Sequence, residues 1–156
     1  MRAEPRRAED DTLKPFPHSY PVVASVTSDA SPLVQAEGLP DLHSASPREF
    51  DGPGDQWSPE SLLVGAAASC FLLTFKVVAR IAKLEWQRLE CSVDGTLDRV
   101  EGVTQFTHMR LHAKLTVPTL DKRDAYQHAL EKAEQNCLVS NSLRCPRELT
   151  VDIVAA

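Results

Sequence analysis

The stretch Ser58-Pro59-Glu60-Ser61-Leu62-Leu63-Val64-Gly65-Ala66-Ala67-Ala68-Ser69-Cys70-Phe71 decides how this chain folds. A serine suited to the N-cap, a proline for the first helical position and a glutamate in the first turn mark a helix start. The apolar run that follows carries the helix into a core, and the pattern extends it to about Lys83. Lys76, Arg80 and Lys83 fall late, where cations suit the helix dipole. The segment Leu62 to Ala82 has the look of a membrane span. Lys76 and Arg80 interrupt it, however, and the run before them is shorter than the ~20 residues a bilayer needs. It reads as a central helix buried over most of its surface.

Upstream of this helix, residues 47–56 are loop by composition, rich in proline, glycine and aspartate. Val22, Val23 and Val26 favour a strand between Tyr20 and Ser28, and Leu33 to Ala36 a weaker second one. Pro21, Pro32 and Pro40 keep both short or at an edge. Residues 1–15, charged and nearly without apolar side chains, read as a solvated tail, leaving 16–156 as a single domain.

Downstream, Leu89, Cys91, Val93 and Leu97 alternate with Arg88, Glu90, Ser92, Asp94 and Thr96. After a turn around Arg99 to Gly102, Met109, Leu111, Ala113, Leu115 and Val117 alternate with His108, Arg110, His112, Lys114 and Thr116. The two read as a hairpin with one wet face. Past Pro118, Asp121 is placed to cap a helix with Ala125, Ala129, Ala133 and Cys137 at four-residue spacing, which sets Cys137 on the buried stripe at the C-terminal end. Leu149, Val151 and Ile153 give a final strand. The order β-β-α-β-β-α-β defines an α+β fold, with antiparallel sheets packed on two long central helices.

The 156 residues suffice for one real core, and 42% apolar with 25% charged content is ordinary for a soluble globular chain. A net charge of -5 argues against nucleic acid or an anionic membrane as partner. The arginines near the N-terminus precede no apolar run, so no export signal is read and a cytoplasmic location is expected. In that reducing compartment four cysteines are free, catalytic or redox-sensing rather than structural.

Cys70 and Cys137 are 67 residues apart, so only the fold can bring them together. From the residues alone the pair stays open between small buried hydrophobes and a redox couple. From the residues alone Glu60 reads as first-turn capping electrostatics. Cys91, on the inward side of its strand, reads as packing, and Cys145, between Arg144 and Arg147, as a surface thiol with incidental cations. His108 and His112 lie on a strand's polar face with no ligand cluster beside them, so they read as solvated histidines and not a metal site. No phosphate-binding loop or other cofactor motif is present.

The run from Ser58 to Phe71, the segment Asn136-Cys137-Leu138-Val139-Ser140-Asn141 and the closing Leu149-Thr150-Val151-Asp152-Ile153 together resemble the OsmC/Ohr family of osmotically induced and organic-hydroperoxide-resistance proteins. The resemblance covers about residues 18–155. It implies an intertwined homodimer with interfacial sites, a peroxidatic Cys70, a resolving Cys137 and an active-site Glu60. It further implies organic hydroperoxide substrates and a dithiol reductant, lipoyl-type or other. The family's peroxidases hold the thiolate with an arginine from the N-terminal strands. Here Val26-Thr27-Ser28-Asp29-Ala30-Ser31 stands in that place, without one. Arg48 is the only arginine between Pro17 and Ser58, which makes it a candidate substitute beside His18 and His43. The alternative on the same fold is a weakly catalytic or non-catalytic protein holding a small lipophilic ligand at the dimer interface.

Overall fold

The computed structural model describes residues 14–156, so the tail read over residues 1–15 lies almost wholly outside the described residues. The chain groups into two compact units, one ending at Ser44 and one spanning Ala45–Ala156.

In the first unit, β1 (Val23–Ser25), β2 (Leu33–Gln35) and β3 (Leu42–His43) form an antiparallel sheet in that order. The two expected strands are joined by a third of two residues. Pro21, Pro32 and Pro40 lie just outside the three strands and withhold the donors that would lengthen them.

In the second unit, a 3-10 turn (Arg48–Phe50) leads to α1 (Pro59–Ile81). Ser58 caps this helix in a reciprocal box with Ser61: Ser61 N–H donates to Ser58 Oγ at 3.1 Å, and Ser58 N–H to Ser61 Oγ at 2.9 Å. The partner in the box is thus a serine rather than the glutamate beside it. The helix stops at Ile81, because Lys83 turns to φ 54°.

β4 (Arg88–Val100) and β5 (Val103–Val117) form the expected hairpin. Its two-residue loop, Glu101-Gly102, has φ of 50° and 81°. Positive φ at both positions suits the right-handed twist of the strands. β6 (Arg147–Ala155) then pairs with β5 in parallel, Met109 opposite Arg147 and Val117 opposite Ala155. The expected all-antiparallel arrangement is therefore corrected to a mixed sheet of order β4-β5-β6. The cause is α2 (Arg123–Gln135), which crosses back along β5, so that the next strand must run as β5 does.

Two local expectations at α2 are also revised. Lys122, not Asp121, takes the N-cap, while Asp121 accepts a hydrogen bond from Thr119 Oγ1 at 3.1 Å. Cys137 lies beyond the end of α2 and begins a further short helix, α3 (Leu138–Asn141).

The core is one cluster. Phe71, Phe75 and Ala79 of α1 meet Met109, Leu111, Ala113, Leu115 and Val117 of β5 and Tyr126, Ala129, Leu130 and Ala133 of α2; Ala67, on the same four-residue stripe, is also buried. By length and composition α1 could cross a membrane; here its stripe packs into this core.

Candidate functional site

Cys70 sits midway along α1, one residue before the fully buried Phe71, and is itself half-buried. Cys137 is wholly buried. Its Sγ donates to the carbonyl of Ala67, 3.8 Å away and one turn before Cys70. The fold thus lays the start of α3 across the turn of α1 that carries Cys70, and the two thiols become neighbours.

The electrostatics of Cys137 follow from this placement. Burial pushes its thiol up, while the hydroxyl and backbone N–H of Ser140 pull it down. Cys70 pushes it up again, because a charged Cys70 holds on to the Cys137 S–H as its donor. Ser140 is 1% exposed, and its buried hydroxyl has no hydrogen-bond partner among the described residues.

Cys91 also packs against this core, on β4 opposite Ala113. Its thiol is pushed up to about 11, first by burial and then by charge on Cys137. Cys145 packs against the core as well. The nearby Arg147 is engaged elsewhere, donating to Glu134 at 2.5 Å and to Asn141 at 3.0 Å.

Glu60 lies at the other end of the helix. Ten residues of helix at about 1.5 Å each put it roughly 15 Å before Cys70 along the axis, a gap these two side chains cannot span. It lines a cavity of ≈ 450 Å³ with Pro47, Phe50, Val64, Leu97 and Phe106. Glu60 Oε2 is buried there without a partner among the described residues. The cavity depends on Gly95: a Cβ there would stand 2.7 Å from Val64 Cγ2 and 3.0 Å from Phe106.

The candidate cations are placed as follows. Arg48 folds its side chain over its own loop, where a Cβ on Gly54 would lie 2.0 Å from its Nε. It makes no ion pair among the described residues. His18 and His43 belong to the first unit. His18 stacks on Phe16 with ring centroids 4.6 Å apart, and His43 pairs with Leu33. On the outer sheet face, His108 Nε2 lies 3.5 Å from Glu148, and His112 Nδ1 lies 3.0 Å from Thr150 Oγ1.

Sequence reasoning missed Ser140 and the cavity. The first had a local signal, a serine one turn after a cysteine on the same inward side. The second depends on a β-bulge between Thr96 and Leu97, which sets Leu97 opposite Phe106. Alternation alone does not reveal such a bulge.

The α+β frame with its two neighbouring thiols has relatives among known chains. The family model for OsmC-like proteins matches residues 52–152, and the chain belongs to that family. It is 32% identical over 113 residues to the protein YmaD of Bacillus subtilis (strain 168), a match covering 68% of this chain and 73% of that one. It is 27% identical over 95 residues to peroxiredoxin OsmC of Escherichia coli (strain K12), covering 61% and 64% respectively. The crystal structure of an OsmC-like protein from Mycoplasma pneumoniae shares the fold, with a TM-score of 0.75 at 17% identity, over 89% of this chain and 99% of that one.

Proposed function

We propose that this protein is a thiol peroxidase that reduces organic hydroperoxides in defence against oxidative stress. The observation that carries the reading is the adjacency of Cys70 and Cys137 in apolar surroundings, in a chain of a family that includes proteins named peroxiredoxins. The Cys70 thiolate attacks the terminal peroxide oxygen, the O–O bond breaks, and the alkoxide leaves as an alcohol after taking a proton. Cys70 becomes a sulfenic acid. Cys137 then attacks the Cys70 sulfur, a disulfide forms and water departs. A dithiol, lipoyl-type or other, restores both thiols by exchange.

The working unit in this reading is a homodimer in the cytoplasm. α1 leaves Leu73, Val77 and Ile81 exposed by 60%, 45% and 73%, and Trp57 and Phe50 before it by 55% and 52%. An apolar surface of this kind marks an interaction site. If two copies of α1 cross antiparallel about Gly65, midway between Glu60 and Cys70, each chain's Leu73 falls on the other's Trp57. Each Glu60 then falls beside the other chain's Cys70, which supports Glu60 as an active-site residue acting across the interface. Arg48 lies at the same end of the helix as Glu60 and is the candidate to accompany it.

The test is stopped-flow oxidation of the reduced protein by cumene hydroperoxide and by hydrogen peroxide, with free thiols counted afterwards. The organic peroxide should react faster and remove two thiols per chain. Cys70→Ser should abolish turnover, and Cys137→Ser should leave a trapped sulfenic acid; robust turnover by Cys70→Ser would sink the proposal. The cavity at Glu60 favours a second reading, a carrier of a small lipophilic ligand. A negligible rate with both peroxides, together with tight binding of an apolar probe, would select it.

A further inference from the structure

Ser140 has no role in the chemistry above, yet its hydroxyl poses a problem. At 1% exposure and without a partner among the described residues, an unmade hydrogen bond of this kind costs about 1–3 kcal/mol. Buried hydroxyls are ordinarily satisfied. A group its hydroxyl acts on is the sulfur of Cys137, which opens α3 three residues before Ser140. That sulfur points its own hydrogen toward the Ala67 carbonyl. A thiol so oriented leaves the serine hydroxyl idle; a thiolate does not.

We propose that Ser140 is the positioning residue for Cys137, a donor held in reserve for the moment when that sulfur carries negative charge. The inference rests on the reading of Cys137 as the resolving thiol. Two steps of the cycle generate the charge. In resolution, Cys137 loses its proton as it attacks the Cys70 sulfenic acid; that proton and the departing hydroxide leave as water, and the S–S bond forms. In reduction, a thiolate of the external dithiol attacks the sulfur of Cys70, the more exposed of the two. The Cys137 sulfur then departs as a thiolate, receiving a hydrogen bond from Ser140 until it is reprotonated. In both steps the Ser140 hydroxyl and N–H favour the anionic form, opposing the burial that disfavours it. A donor idle in the ground state and engaged at the charged stage lowers the barrier without stabilising the resting thiol.

Ser140→Ala and Ser140→Thr separate this role from a structural one. Cys137 ionisation is read as 240 nm thiolate absorbance, by difference between reduced proteins with and without Cys137→Ala. In Ser140→Ala the Cys137 titration should rise by about one pH unit, the loss expected for one hydrogen bond to a charged group. Disulfide formation from the Cys70 sulfenic acid should slow about tenfold. Thermal stability should stay level or rise, since an unpaired buried hydroxyl has been removed. Ser140→Thr, which keeps the hydroxyl, should titrate as the parent does. An unmoved titration in a folded Ser140→Ala protein overturns the inference, as does a loss of stability with no change in the disulfide step. The titration uses no peroxide, so it reads the Ser140–Cys137 link even if the chain turns over no hydroperoxide. That last result would refute the peroxidase reading instead.

Discussion

Glu60 and Cys70 lie on one unbroken helix, α1, ten residues apart. At about 1.5 Å per residue the separation is roughly 15 Å along the axis. No rotamer of either side chain closes it, and the helix has no kink-forming proline between them. If both groups serve one reaction, they must come from different chains. The perturbation that isolates this is a mixture of two inactive variants, Glu60→Ala and Cys70→Ser, co-expressed with different tags. In a mixed dimer whose sites are shared across the interface, one site loses both groups and the other keeps both. Random pairing makes about half the dimers mixed, each with one working site of two, so about a quarter of the parent activity should return. Groups acting within one chain would restore nothing, because each chain lacks one of them. Hydroperoxide turnover is measured on mixed dimers purified through both tags in sequence, where the expected recovery is about half. Purified mixed dimers with no more activity than the two parents would refute the geometric argument.

The other expectations concern single positions. The Cys91 thiol, pushed up to about 11 by burial, should be alkylated by iodoacetamide about a hundredfold more slowly at pH 7 than an ordinary cysteine. Its rate should climb about tenfold per pH unit through pH 9, as followed by peptide mass spectrometry; a plateau below pH 9 would contradict the burial. Gly95→Ala places a methyl group 2.7 Å from Val64 Cγ2, and overpacking of that kind costs about 1–3 kcal/mol. Urea denaturation should show the loss, with weaker binding of apolar ligands in the adjacent cavity. Phe71→Ala empties a fully buried site between α1 and β5 and should cost about 3–5 kcal/mol. An unchanged urea midpoint would mean that α1 is not packed as described.

The parts of the fold visible in the sequence are those where a local rule and the global packing agree. Ser58 and Pro59 announce the start of α1, and the hairpin follows from alternation and from Gly102. The direction of β6 was not visible, because alternation is the same in parallel and antiparallel strands; only the route of α2 decides it. The four-residue spacing that seemed to carry α2 through Cys137 has a similar weakness. It marks one inward side without saying whether a single helix or two supply it. The chain ends α2 at Gln135 and restarts at Leu138, and this break turns Cys137 toward Ala67. The thiol pair was legible as a resemblance; its neighbourly geometry was not, since 67 residues of chain separate the two.

Residues 26–31, where the resembling peroxidases carry an arginine, hold none, so charge on Cys70 has to be met by other groups. A guanidinium buried beside a thiolate brings strong Coulombic support and a heavy desolvation cost. Within the unit that holds Cys70, the ionisation of the neighbouring Cys137 is set by burial and by neutral or thiol groups: the Ser140 hydroxyl and N–H, and Cys70 itself. A site without a buried cation stays apolar when uncharged, which in the peroxidase proposal favours entry of a lipophilic hydroperoxide. If the site is shared between two copies as proposed, Arg48 of the second copy is the candidate to meet charge on Cys70, and the mixed-dimer experiment extended to Arg48→Ala measures how much it contributes.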